Sequence, residues 1–592
     1  MTQLNIELPP PKDSKDFDGW AIQLSQYIRD YIGIGMNQYS IPNTYTISTN
    51  TTITDDLTVL SGTLFSIPTG ITLTITGSIS AGLYKIFSCA GTGKVVLAKK
   101  TIYPEWWGAL GDGSTDDSFA FSKMIESISG GATIILQSGK TYIIDGTTYL
   151  ATYFTGLSNI VINGNKAILK VKPSISSAYS YGLAFNGCTN ITVNDIQIDG
   201  NRANIADPVT GDGQGYGIWV FEGSSRITVN RAHIYDMVTD SVLIGRSGGT
   251  AAPSFVEVNN SRLYRARRNN VSITGATDVT VRNCQILSAG VTVGSSTGAA
   301  PKSGCDIEPD VADAGHSNER IRIIDNYFTA NVTTQCGSEG VGWNYDVWIK
   351  GNKFLVDSGN GVLIGGAANY IWKVTDNIFN VASAGERALV STTAITAEDV
   401  EIKRNKFVSS VDYDSVNIQD TGKARWSISD NEFKSNYAML YIVPTGSMQY
   451  GGDFLVCNNR YISTGDSQSD DDPVVTLADC MVFNETYIRS SALTNHYRYV
   501  LGSRNIVSKI EVVGNKAVIY DNGTAYALPG SLIAERDTGI LEFNHSAAPV
   551  AGTWAVNARV WNTAPAAAGS MGWVCTTAGT SGTWKYFGVI EA

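Results

Sequence analysis

One phrase recurs along the middle of this chain, and it restricts the fold more than any other feature. An apolar residue, any residue and a second apolar residue are followed by two or three polar residues and another apolar one, often with Asn just before the end. It reads IVINGN from Ile160, ITVNDIQI from Ile191, ITVNRAHI from Ile227, VEVNNSRL from Val256 and VTVRNCQI from Val279. It continues as IRIIDNYF from Ile321, VWIKGNKF from Val347, WKVTDNIF from Trp372, VEIKRNKF from Val400, WSISDNEF from Trp426 and FLVCNNRY from Phe454. Each phrase alternates as a strand does, one face inward and one outward, and the Asn falls where one strand bends into the next. Successive starts are 23 to 42 residues apart. Strict strands with connections of variable length fit a parallel β-solenoid, whose coils stack while surplus residues leave as loops. A leucine-rich repeat needs a fixed Leu/Asn consensus and a propeller needs four strands per ~40 to 45 residues. A large antiparallel sandwich would not repeat one phrase eleven times in one register.

The 592 residues would suggest four domains at ~150 residues each, a count that fails for a repeating chain. Apolar residues make up 43% and charged residues 16%, so the chain buries a core and is neither disordered nor coiled coil. Lys plus Arg number 43 against 54 Asp plus Glu, a balance of -11 that argues against a nucleic-acid partner. No apolar run reaches the ~18 residues of a bilayer span. Residues 1–12 lack the basic start and apolar stretch of a secretory signal, so if the protein leaves a cell at all, another route is expected. The eight cysteines are scattered and the four histidines unpaired, which reads as buried thiols with neither a metal site nor a cofactor.

The flanks differ from the repeats. Residues 1–40 combine Pro9, Pro10 and Pro11 with an amphipathic run carrying Trp20, Leu24, Ile28 and Ile32, suited to a docking arm or to a helix that caps the body. Residues 41–102 read as an N-terminal β segment, 103–507 as the solenoid and 508–592 as a Gly- and Trp-rich β module for trimerisation or carbohydrate contact.

Residues 103–142 read YPEWWGALGDGSTDDSFAFSKMIESISGGATIILQSGKTY. This stretch resembles the opening signature of pectate-lyase-like bacteriophage tailspikes, a W-G-A-x-G-D-G-x-T-D-D phrase before a helix, a strand and a Gly-x-x-Tyr turn. Gly111 and Gly113 suit a tight turn, and Thr115 or Asp116 can cap a helix over 116–128 carrying Phe119, Phe121, Met124 and Ile128. Such a helix would plug the open end of the solenoid. Asp112, Asp116 and Asp117 are read as capping and turn residues rather than as a catalytic or calcium cluster. The resemblance implies a right-handed single-stranded parallel β-helix, assembled as a homotrimer on a virion tail. It implies docking to a phage tail or baseplate protein through the N-terminus, and binding and depolymerisation of a bacterial surface polysaccharide, capsule or O-antigen.

A second phrase lies between the first set: GIWVF, SVLIG, NVSIT, GCDIEPD, GVGWN from Gly340 and GVLIG. Aligned on the apolar pair, it sends Val242/Ile244, Val271/Ile273, Cys305/Ile307 and Val341/Trp343 inward. It sends Trp219/Phe221, Leu243/Gly245, Ser272/Thr274, Asp306/Glu308 and Gly342/Asn344 outward. Asp306 and Glu308, two apart on one strand, stand ~6.5 to 7 Å apart at the backbone, within the ~6.5 to 9.5 Å of an inverting glycosidase. Glu308, the longer, is expected as general acid and Asp306 as base, with Glu339 on the next coil able to replace either. The bland alternative is a pair that merely solvates the sheet face. The tailspike resemblance extends to this Gly-x-Asp-Ile-Glu-Pro phrase and implies catalysis there. Trp219 and Phe221 offer flat faces for sugar rings, and Ser272 and Asn344 line the same face. Asp240 is read chiefly as a turn residue. Arg265, Arg267 and Arg268 suit either an acidic polymer or ion pairs within the protein. Endo-glycosidic hydrolysis is therefore preferred over β-elimination by a uronate lyase and over a non-cleaving adhesin.

Overall fold

The computed structural model describes residues 38–39, 44–145, 151–173, 181–207, 215–246, 251–309, 317–338, 343–365, 368–391, 399–411, 415–419, 425–435, 439–442, 454–463, 474–476, 480–489, 498–501, 506–513, 517–521, 524–528, 532–536 and 542–592. The expected N-terminal helix over residues 17–34 lies outside them. The chain forms two compact units, residues 1–220 with 224–234 and residues 221–223 with 235–592. Each is an all-β parallel solenoid.

Three strands make one coil. In the second unit Ser303–Ile307, Ser317–Ile324 and Tyr327–Thr329 each pair in parallel with the corresponding strand of the next coil, Thr334–Ser338, Trp343–Lys350 and Lys353–Val356. The bend between the second and third strands comes from local chemistry. One residue there takes positive φ, as at Asp325 (56°), Asp376 (60°), Asp430 (57°) and Asn458 (57°), and short Asp and Asn side chains tolerate that conformation. The Asn that follows turns inward. Asn326, Asn352, Asn377, Asn405, Asn431 and Asn459 are 0 to 2% exposed. The Nδ2 of each of the first five donates to the Oδ1 of the next Asn at 2.9 to 3.1 Å. Each also donates to a main-chain carbonyl of the preceding coil, for example Asn405 to Val374 at 2.7 Å. The ladder satisfies buried polar groups that the bend would otherwise strand.

Two residues on, the apolar end of the phrase builds a second ladder. Phe328, Phe354, Phe379, Phe407, Phe433 and Tyr461 stack with centroids 4.6 to 5.0 Å apart. Their spacing equals the ~4.8 Å between strands, so one aromatic per coil fills the core without a void.

In the first unit, strands from Thr44 to Cys89 already pair in parallel, and Lys94–Ile102 pairs onward with Ile128–Ile135. The helix, Ser118–Glu126, sits between those two strands in sequence, shorter than the expected 116–128 because Ile128 opens a strand. One strand ladder continues on both sides of it, from Thr72–Ile75 through Lys94–Ile102 and Ile128–Ile135 to Ser158–Asn163. Phe121 and Met124 are buried while Phe119 is 58% exposed. Asp116 accepts the Ser118 amide at 3.0 Å. Asp112 accepts the amides of Ser114 and Thr115, and Asp117 those of Leu110 and Gly111. The three acids are turn and capping residues.

In the second unit the parallel ladders end at Ile506–Val513 and Ala517–Asp521, both of which also pair antiparallel with strands that follow. The last residues form antiparallel strands around Trp554, which meets Phe543 and Trp584 edge-on at 5.2 and 4.8 Å.

Candidate active site

Five strands of the second unit lie side by side in parallel: Val242–Gly245, Val271–Thr274, Ser303–Ile307, Thr334–Ser338 and Asn360–Ile364. Val242, Ile244, Val271, Ile273, Cys305, Ile307, Val362 and Ile364 are 0% exposed and form the inner face. The alternate residues run Leu243, Ser272, Asp306, Gly337, Leu363 in register. The sequence alignment misplaced one strand. The neighbour of Asp306 is Gly337, and Cys336 rather than Val341 stacks on Cys305. The Thr334–Ser338 strand begins early because its connection from the preceding coil is short, a length that no periodicity reveals.

Two consequences follow for the expected residues. Trp343 and Asn344 belong to the next strand of the coil, Trp343–Lys350. Asn344, 1% exposed, accepts from Asn318 Nδ2 at 3.0 Å and donates to Ser338 Oγ at 3.1 Å, so it secures a corner and does not line the face. Glu339 lies outside the described residues.

The face that was expected to be open is largely covered. Ser272 is 1% exposed, Asp306 7% and Leu363 5%. Phe221 is 3% exposed, and in the first unit Trp219 is 8% exposed and stacks on Tyr181 at 5.2 Å. Neither presents a bare ring to sugar, because an aromatic on this sheet lowers its free energy by burying its area within the chain.

What the sheet carries instead is a connected polar network. Asp240, fully buried, accepts from Arg268 Nε at 2.9 Å and Nη2 at 2.5 Å, a bidentate pair. It also accepts from the Asn269 amide and from Ser272 Oγ, both at 3.0 Å. Asn269 Oδ1 accepts the Ser303 amide at 2.8 Å, which fixes the orientation of its side chain. Its Nδ2 therefore faces, and donates to, Ser272 Oγ and Asp306 Oδ2, each at 3.0 Å. The chain of contacts runs from Arg268 through Asp240, Ser272 and Asn269 to Asp306.

The strand pairing continues beyond Ile307. The Glu308 amide donates to the Ile273 carbonyl at 3.0 Å, so the two-residue alternation holds and Glu308 faces the same side as Asp306. Glu308 is half-buried. Gly337 leaves the position beside Asp306 without a side chain, since a Cβ there would lie 2.3 Å from the Leu363 carbonyl oxygen.

The basic run resolves into internal contacts. Arg265 pairs with Asp236 at 2.6 Å, Arg268 with Asp240, and Arg267, 8% exposed, donates from Nε to the Thr297 carbonyl at 3.1 Å. Sequence reasoning missed Asn269 and underrated Asp240. The available signal was spacing: Asp240 and Arg268 are 28 residues apart, one coil step, which stacks them at the same corner.

No family model matches the chain. It is 29% identical over 267 residues to the uncharacterized protein YclG of Bacillus subtilis (strain 168), covering 42% of this chain and 44% of that protein. It is 30% identical over 145 residues to mannuronan C5-epimerase AlgE3 of Azotobacter vinelandii, covering 22% of this chain and 8% of the relative. The chain thus spans less than half the length of these curated relatives. Among solved structures, it resembles PfbA, a surface adhesin of Streptococcus pneumoniae, with a TM-score of 0.43, 13% identity, and 75% of this chain and 98% of that one covered. It also resembles the A-module of the Azotobacter vinelandii mannuronan C-5 epimerase AlgE4, with a TM-score of 0.43, 13% identity, and coverage of 69% and 99%.

Proposed function

We propose that this chain is a polysaccharide depolymerase that hydrolyses a glycosidic bond between Asp306 and Glu308. The observation that carries the reading is the way Asp306 is held. Its Oδ2 accepts a hydrogen bond from an Asn269 amide whose own orientation is locked, while the neighbouring acid Asp240 is consumed by Arg268. An amide N–H donates and does not accept, so it holds Asp306 as an acceptor, the role of a general base that activates water. Glu308, at the strand end, less buried and longer, protonates the leaving oxygen. Two acids one strand repeat apart leave room for that water, as inversion at the sugar requires. The arginines first considered for β-elimination, Arg268 and Arg267, are engaged with Asp240 and Thr297.

A bacterial surface polymer as substrate, a trimer, and a place on a phage tail follow from the tailspike resemblance of residues 103–142 and belong to the same proposal. The likeness to a mannuronan epimerase supports a polysaccharide ligand. Incubation with purified capsule or O-antigen tests it. New reducing ends without a conjugated double bond are expected. A conjugated product would make the chain a lyase, and binding without shortening an adhesin.

A further inference from the structure

Every arginine of the 265–268 cluster has an internal partner, whereas Arg246 has none among the described residues. Arg246 follows the Val242–Gly245 strand, and its amide donates to the Thr274 carbonyl at 3.3 Å. Its guanidinium has no carboxylate or carbonyl partner among the described residues, and its Nε is buried with no acceptor. Beside it, Thr274 is 6% exposed and its Oγ1 is likewise buried without a partner. Arg246 Nε and Thr274 Oγ1 are both buried without a partner at the ends of neighbouring strands, and a ligand that bonds to them would complete their bonding.

The backbone is shaped around them. Gly245 pairs with Thr274, and a Cβ on Gly245 would fall 1.8 Å from Thr274 Oγ1, so the hydroxyl occupies the space that glycine leaves. Gly275, at φ 101°, lets the Arg246 stem lie across it, with Cγ 3.5 Å from where a Cβ would be. One strand further on, the Glu308 amide pairs with Ile273, which sets Glu308 alongside Thr274. Arg246, Thr274 and Glu308 thus stand at the same end of three successive strands, about 10 Å across at ~4.8 Å per step.

We propose that Arg246 and Thr274 form an anion-recognising subsite that accepts the carboxylate of an acidic sugar in the polymer. This rests on the reading of Asp306 and Glu308 as the catalytic acids, and it specifies the class of polymer they act on. Guanidinium offers a fork of donors that matches a carboxylate, and the threonine hydroxyl adds one more. A local cation also lets a chain of net charge -11 hold a polyanion.

The test measures binding of the full chain, carrying Asp306→Asn to prevent turnover, to a panel of purified bacterial surface polysaccharides, some uronate-bearing and some neutral. A polymer that binds is then carboxyl-reduced with carbodiimide and borohydride. Binding of uronate-bearing polymers, weakened ~10- to 100-fold both by reduction and by Arg246→Met, with little further loss when the two are combined, is the expected result. Thr274→Val should weaken binding ~5-fold, and Arg246→Lys should retain part of the affinity. Equal binding of neutral or reduced polymer, or an equal loss on both forms with Arg246→Met, overturns the subsite and leaves the polysaccharide reading intact. Binding to none of the panel overturns both.

Discussion

The Asn ladder ends on an acid. At the position after Asn459 stands Glu485, fully buried, which accepts from the Asn459 amide at 2.9 Å, from Asn459 Nδ2 at 3.1 Å and from Tyr461 Oη at 2.6 Å. Burial pushes its pKa up from 4.5 to about 8, against the lowering effect of those hydrogen bonds. Because the folded value is the higher one, the fold holds the proton more tightly than the unfolded chain does. Stability from this group is full below about 4.5, falls as pH rises and is lost above about 8. At 1.36 kcal/mol per unit the cost of ionised Glu485 is roughly 5 kcal/mol above that range and roughly 3 kcal/mol at neutral pH. Glu485→Gln removes the titration and restores an amide that can accept from Asn459 as the other rungs do. Hydrogen exchange in Phe454–Cys457, Arg460–Ser463 and Glu485–Arg489, corrected for intrinsic rates, reads the local opening free energy. Between pH 5 and 7 the wild-type protein should lose roughly two orders of magnitude of protection relative to Glu485→Gln. An identical pH dependence in the two proteins would refute the argument, since it would mean that Glu485 is ionised in the fold at no cost.

Asp306→Asn and Glu308→Gln should each lower depolymerisation by ~100- to 10,000-fold without changing hydrogen exchange in the core, and full activity in both would remove the site. Asp240→Asn leaves Arg268 without its carboxylate and should cost roughly 3 to 5 kcal/mol of local stability, visible as faster exchange in Val271–Thr274. Combining Asp240→Leu with Arg268→Met should recover much of that loss. Asn405→Ala strands the Val374 carbonyl and the Asn377 amide and should destabilise its coil by ~2 to 4 kcal/mol, against a smaller effect for Lys406→Ala on the solvent side.

The fold was legible because its causes are local. A strand has a period of two, so phrases such as VWIKGNKF declare which residues are inward, and Val347, Ile349 and Phe354 are buried as that pattern requires. The Asn of each phrase announced the bend, although the side-chain ladder it builds depends on the coils above and below. The site was less legible. Asp306 and Glu308 are two residues apart, and the Glu308 amide continues the strand ladder at the Ile273 carbonyl. Trp219, Phe221 and Ser272 were on the expected strands but are buried, because exposure depends on what covers a sheet and not on its alternation.

The amino-acid sequence by itself determined the coil, its inward faces and its bends, since each follows from contacts among residues a few positions apart. Only the tertiary structure decided which polar side chains remain available. Asp240 meets Arg268, and Asn269 meets Asp306, across separations of 28 and 37 residues. Connections of irregular length set which residues stack, as the displaced Thr334–Ser338 strand shows. Among arginines alike in the sequence, that stacking holds the charge of Arg268 in an ion pair and leaves Arg246 without one among the described residues.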